Sequence, residues 1–125
     1  MSLGVRDFHH VSLLVADTAR SLAFYGGTLG LETDPSRPDL GFPGAWLKVG
    51  RRAIHLLELP SPDPREGRPE HGGRDRHLAL TVSDLDRLVA ALERDGIDYS
   101  LSRSGRRALF CRDPDGNALE LIEAV

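Results

Sequence analysis

The chain repeats itself. His10-x-x-Leu13-x-Val15-x-Asp17 returns as His77-x-x-Leu80-x-Val82-x-Asp84, 67 positions on (10 to 77), and Arg20/Arg87 and Ala23/Ala90 keep that spacing. Farther along, Ala53-Ile54-His55-Leu56-Leu57 returns as Ala118-Leu119-Glu120-Leu121-Ile122, 65 positions on (55 to 120). Self-similarity at a fixed period marks one supersecondary unit used twice, neither copy able to bury its apolar face alone. Each half reads strand, helix, strand, strand, strand. A helix covers one face of such a sheet, and the second copy supplies a partner for the other. The expected class is α+β: two paired βαβββ modules forming an open eight-stranded barrel-like sheet around a cleft, all within one domain of residues 1–125.

Module one is expected over 1–59. Phe8 to Val15 reads as a strand, with Val11, Leu13 and Val15 on one face and His10, Ser12 and Leu14 on the other. Asp17 is placed to cap a short helix over Thr18 to Tyr25. Leu31 to Thr33, Ala45 to Val49 and Ala53 to Leu59 read as strands. Residues 60–74 are rich in Pro, Gly and charge and read as an exposed connector or lid, with His71 solvated on it. Module two follows over 75–125. Arg76 to Val82 is its first strand. Ser83 or Asp84 caps a helix whose apolar residues Leu85, Leu88, Val89 and Leu92 share one face. Ile97 to Leu101, Arg107 to Cys111 and Ala118 to Ile122 complete it. Asp113-Pro114-Asp115-Gly116 has the residue preferences of a type I turn.

The net charge of -3 provides no basic surface for nucleic acid or an anionic membrane, and no apolar run reaches the length of a spanning helix. No charged region followed by an apolar stretch opens the chain, so a signal peptide is not expected. With one cysteine, Cys111, an internal disulfide is excluded, and the reducing cytoplasm is the expected compartment. Cys111 is expected as an inert strand thiol.

The repeat pairs the polar oddities. His10 matches His77, and His55 matches Glu120. Glu120 stands in the middle of an apolar strand, and a buried carboxylate is costly unless a cation or donor meets it. The histidines on β-strands lie opposite the apolar sets Val11/Leu13/Val15 and Leu78/Leu80/Val82, so they are expected to face the cleft. A pseudo-twofold arrangement would bring all four side chains to one point. Imidazoles with a carboxylate suit Zn, Ni, Co, Mn or Fe. His9, one residue from His10, is expected to face away from it. Arg106 and Arg107 lie where an anionic substrate would meet the rim; Trp46, Phe42 and Phe110 are apolar candidates for its lining.

These stretches resemble the vicinal oxygen chelate superfamily, also called the glyoxalase/bleomycin resistance/dioxygenase fold. The likeness rests on Phe8-His9-His10-Val11-Ser12-Leu13-Leu14-Val15-Ala16-Asp17, Ser21-Leu22-Ala23-Phe24-Tyr25, His77-Leu78-Ala79-Leu80 and Asp113-Pro114-Asp115-Gly116-Asn117 with Leu119-Glu120-Leu121. It implies metal ligands at His10, His77 and Glu120, with His55 at the fourth position. It implies a metal-dependent lyase or isomerase acting on a small substrate with vicinal oxygens through a metal-stabilised enolate. Glu120 and His55 would be the catalytic groups, and Ser12, Trp46, Arg107 and Phe110 the substrate contacts. A homodimer is expected. Glyoxalase I members carry Glu where this chain has His55, and Arg and Asn where it has Leu14 and Leu59. Fosfomycin-modifying members carry Thr at Ser12 and Tyr at Phe110. An Fe(II) extradiol dioxygenase, with His55 outside the ligand set, and a non-catalytic antibiotic-binding protein are the alternatives.

Overall fold

The computed structural model describes residues 3–124. In chain order it holds β1 (His10–Val15), α1 (Thr18–Leu22), β2 (Glu32–Thr33), β3 (Gly44–Val49), β4 (Arg52–Glu58), β5 (His77–Val82), α2 (Leu85–Arg94), β6 (Tyr99–Leu101), β7 (Ala108–Arg112) and β8 (Ala118–Glu123). They form two four-stranded sheets, ordered β1-β4-β3-β2 and β5-β8-β7-β6. In each, the first strand runs parallel to the last, and the other pairs are antiparallel. The sheets are open rather than closed into one barrel, so the expected paired βαβββ architecture is present as two halves.

The repeat extends to the hydrogen-bond register. Ser12 stands opposite His55 as Ala79 stands opposite Glu120. Asp17 and Asp84 cap their helices alike, accepting from the backbone N–H groups of Arg20 and Arg87. Sequence reasoning missed a second repeated cap. Glu58 accepts from the N–H of Thr18 at 2.8 Å, and Glu123 from that of Leu85 at 2.9 Å. The two glutamates lie 65 positions apart (58 to 123), the spacing of His55 and Glu120. Carboxylates at helix N-termini satisfy otherwise orphaned donors and meet the positive end of the helix dipole.

One apolar core joins the modules. Val15, Tyr25, Leu47, Ile54 and Leu56 of the first meet Leu85, Leu88, Leu92, Leu109, Leu119 and Leu121 of the second. Val11, Leu13, Leu78 and Leu80 pack against it, as the strand periodicity predicts. Cys111 is also buried there, and burial pushes its thiol up to about 12, consistent with an inert role. Helical backbone runs past Tyr25 to Thr28, with the wider hydrogen bonding of a π-turn. That insertion aims Tyr25, fully buried, at the turn between β7 and β8. Its hydroxyl donates to Asp113 at 2.7 Å.

The turn is a hub. Asp113 also accepts from the N–H groups of Asp115 and Asn117, and Asp115 accepts from Ala16, Arg20 and Arg65. Asn117 reaches back to the carbonyl of Leu14. Gly116 closes the turn at φ 86°, a conformation that favours glycine.

The connector differs in part from expectation. Residues 60–67 are mostly exposed, as expected, but Gly72–Arg74 forms a 3₁₀ turn against β7 and β8. A Cβ on Gly73 would come within 3.2 Å of the Phe110 ring and 3.0 Å of the His71 ring, so glycine there permits the close approach. His71 is half-buried against the Phe110 ring, 4.8 Å between centroids, rather than solvated. Asp75 anchors the segment between Arg68 and Arg112. Strand ends also shift: Phe8 lies outside β1, exposed beneath the Arg52 guanidinium at 4.8 Å.

Two outcomes follow from these anchors. Tyr25→Phe removes one partner of a buried carboxylate and should lower the unfolding free energy in urea by about 1–3 kcal/mol. The Arg68 and Arg112 hydrogen bonds hold Asp75 down to about 2, from an ordinary 3.8. Its contribution to stability is therefore complete above about pH 4 and is lost as pH falls toward 2. Asp75→Asn should flatten that part of the stability–pH curve, measured by denaturation at each pH.

Candidate functional site

The open face of each sheet carries one polar side chain on the strand paired with the module's first strand: His55 on β4 and Glu120 on β8. An aromatic residue stands directly across from each, Trp46 on β3 and Phe110 on β7. The aromatic–ligand pair is thus repeated too, and its spacing (46 to 110) was legible beside that of His55 and Glu120.

On the first sheet the side chains form a stack. His55 lies against Trp46, with centroids 4.4 Å apart and planes 11° apart, and against His10 at 3.9 Å and 19°. Loss of solvent contact, with His10 and His9 close by, pushes the His55 pKa down. The neutral imidazole is the form that binds a metal. Parallel rings aim their in-plane nitrogens along parallel planes, so His10 and His55 share one ion only if a ring turns. His9 does not face away from His10. The two Nδ1 atoms lie 2.8 Å apart, because His9 precedes β1 and escapes the alternation of the strand.

On the second sheet Glu120 is 4% exposed. Its Oε1 lies 3.4 Å from Nε2 of His77, and its Oε2 accepts from Arg106 at 2.8 Å. His77 Nδ1 lies 2.9 Å from the Asp75 carbonyl oxygen. A carbonyl only accepts, so Nδ1 carries a proton, and when the ring is neutral the Nε2 lone pair faces Glu120. A lone pair facing a carboxylate oxygen at that distance is the arrangement a cation would resolve. A backbone carbonyl that fixes the tautomer is the usual support of a metal-binding histidine. This donor set fits a divalent cation. Phe110 floors the group, with His77 edge-on to it at 5.4 Å.

The four expected ligands therefore gather as two pairs. Among the described residues, no group of three or more His, Cys, Asp or Glu side chains is close enough to hold a metal ion. Ser12 and His77 line one groove of about 400 Å³ between β1 and β5, with Asp63 and Arg76 at its edge. Arg107 lies apart, bound to Glu123 at 2.8 Å and Asp86 at 3.1 Å. Its neighbour Arg106 reaches the site instead. Phe42 sits under the Arg37 guanidinium. No described helix is long and apolar enough to cross a membrane.

The matched family model is the Glyoxalase/Bleomycin resistance protein/Dioxygenase superfamily, over residues 7–121, and the chain belongs to that superfamily. It is 37% identical to the Escherichia coli (strain K12) protein YaeR, over 97% of this chain and 98% of that one. It is 32% identical to Glyoxylase I 4 of Arabidopsis thaliana, over 95% of this chain and 71% of that one. A mutant of the fosfomycin resistance protein FosX from Listeria monocytogenes, solved with Mn(II) and 1S,2S-dihydroxypropylphosphonic acid, shares the fold. Its TM-score is 0.78 at 17% identity, covering 97% of this chain and 94% of that one. Another structure with this fold is TnmS3, an antibiotic binding protein from Streptomyces sp. CB03234, with a TM-score of 0.75 at 21% identity, covering 99% of this chain and 100% of that one.

Trp46 is the sole tryptophan and reports on the stack. Protonated imidazole quenches a stacked indole. Trp46 fluorescence should fall as pH drops, with a midpoint below the ordinary histidine value of 6.5. The fall should vanish in His55→Ala.

Proposed function

We propose that this chain is a metal-dependent lyase or isomerase acting on a small substrate with two adjacent oxygens. The observation that carries the reading is the His77–Glu120 pair: a buried carboxylate facing an imidazole lone pair, with the tautomer fixed from behind by Asp75. His10, His77 and Glu120 would hold the cation, with His55 as the fourth ligand once its ring turns from the stack. Zn, Ni, Co, Mn and Fe all suit this donor set. A bound cation would act as a Lewis acid toward the substrate oxygens, favouring negative charge on them.

The protein's own part is proton handling and enclosure. Glu120 would take a proton from the substrate carbon next to the oxygens and return it elsewhere. His55, kept neutral by burial, would serve as a second base when it does not coordinate. Ser12 would donate a hydrogen bond to the substrate. Trp46 and Phe110 would keep water from the reacting carbon.

The separation of the pairs supports a site assembled between two copies. His10 and His55 of one protomer would face His77 and Glu120 of the second. A closed twofold dimer would then carry two equal sites. Module bounds at 1–59 and 75–125, joined by the 60–74 connector, belong to the same proposal, as does action on a cytoplasmic small molecule.

One observation favours a second reading. The stack of His55 between Trp46 and His10 would leave His10, His77 and Glu120 as a two-histidine, one-carboxylate set, the arrangement of Fe(II) oxygenases. Metal analysis of His55→Ala separates them: Zn, Ni, Co or Mn lost in the variant supports the isomerase, and iron retained with oxygen uptake on catechols supports the dioxygenase.

The assembled site makes a sharp prediction. Alone, His10→Ala and Glu120→Ala should each bind little metal. Dimers purified to contain one chain of each should recover about half the wild-type metal, because one site is rebuilt intact. No recovery in verified mixed dimers would sink the shared site. Wild-type turnover in Glu120→Ala would sink the enzyme reading.

A further inference from the structure

Of the two arginines expected at an anionic-substrate rim, Arg106 alone contacts the site, through Glu120, and that contact is unusual. Arg106 sits in the stretch joining β6 to β7, and its side chain is 55% exposed. Its Nη2 nevertheless reaches inward to the one carboxylate buried on the open face of the second sheet, at 2.8 Å. Arg107 beside it is held by Glu123 and Asp86, away from this face. One guanidinium of the pair is thus fixed as structure, and the other is spent on a candidate ligand.

Two cationic claims on Glu120 compete. Without a metal, a carboxylate at 4% exposure needs a counter-charge, and Arg106 provides it. With a divalent cation held at Glu120, the carboxylate would have less charge left for the guanidinium. Arg106 is then released at the rim of the same site, still charged and within a side-chain swing of whatever occupies it. A guanidinium is a planar fork of donors matched to carboxylate and phosphate oxygens.

Resting on the metal-site reading above, the geometry points to Arg106 as the residue that selects an anionic substrate. It pairs with Glu120 while the site lacks a cation. It binds a carboxylate or comparable anionic group of the substrate, next to the two chelating oxygens, once the cation is in place. The substrate class narrows from vicinal-oxygen compounds in general to those carrying a negative charge beyond the chelating pair, 2-oxo carboxylates among them.

The test uses the full chain in its native assembly and two small chelators, followed by calorimetry. Mn(II) affinity is measured first, then binding of oxalate and of acetohydroxamate to the Mn(II)-loaded protein. Both offer two adjacent oxygens, but oxalate keeps negative charge on its outer oxygens and acetohydroxamate presents a methyl group there. Arg106→Ala should weaken oxalate on the order of ten- to a hundredfold, as loss of a hydrogen bond between charged groups does. Acetohydroxamate should bind as in wild type, and Mn(II) severalfold more tightly, since a competitor for Glu120 is gone. Arg106→Lys should recover part of the oxalate affinity. Arg103→Ala removes the same charge from the same loop and should leave oxalate binding unchanged.

Equal losses for both chelators, weaker Mn(II) binding in Arg106→Ala, or the same oxalate loss in Arg103→Ala would each overturn the inference and leave the metal site standing. Wild-type protein that binds neither chelator in a Mn(II)-dependent way would overturn the metal-site reading itself, and the inference with it.

Discussion

Asp113 and Asp115, two residues apart in one tight turn, receive hydrogen bonds from both modules and the connector. Tyr25 comes to Asp113 from the first module's helical segment. Ala16 and Arg20 of that module, and Arg65 of the connector, come to Asp115. The Asp113 carboxylate, 5% exposed, is tolerable because Tyr25 and the N–H groups of Asp115 and Asn117 all donate to it. The turn opens directly into β8, five residues before Glu120. The interaction that docks the modules therefore also sets where the buried carboxylate of the site stands.

The same logic explains what the two sheets share and where they part. Each puts a candidate ligand between a small residue and an aromatic one: Ser12–His55–Trp46 and Ala79–Glu120–Phe110. A neutral imidazole needs no counter-charge, and His55 is satisfied by ring stacking. Glu120 cannot be satisfied that way. Its half of the repeat recruits His77 and Arg106, and the connector lies across Phe110 above it. The chemical difference of one residue pair, His against Glu, accounts for the unequal surroundings of two copies of one unit.

The repeat was legible in the offsets of 67 and 65 residues, which carry one sheet's register over to the other: with Ser12 opposite His55, Ala79 stands opposite Glu120, but the pairing itself is not in the offsets. Alternation along β1 and β5 assigned the core faces correctly for Val11, Leu13, Leu78 and Leu80. Residues outside the ladders were not legible. His9 turned toward His10 because alternation holds only inside a strand. His71 packed on Phe110 where Gly73 leaves room for both rings, and glycine in a polar segment reads equally well as a free loop. The same limit hid the exchange of roles between Arg106 and Arg107. Side-chain direction at the end of a loop is set by which acid is nearest, here Glu123 for one and Glu120 for the other.

If the proposed ligands act together, their pairing on separate sheets has a physical consequence for how such a site forms. Neither pair alone completes a first shell: His10 and His55 lack a charge, and His77 and Glu120 lack further donors. A cation held by both must bridge two surfaces, so its binding free energy also becomes association energy between them. Each half must meanwhile be stable without the cation. The stack over Trp46 does this on one side, and Arg106 on the other. Both arrangements are reversible, since a ring can turn and an exposed arginine can swing without disturbing the core. On the proposed reading, the chain's own contacts at these residues are ones that a cation could displace at little structural cost. That is the condition a site assembled at an interface has to satisfy if its halves are to fold before they meet.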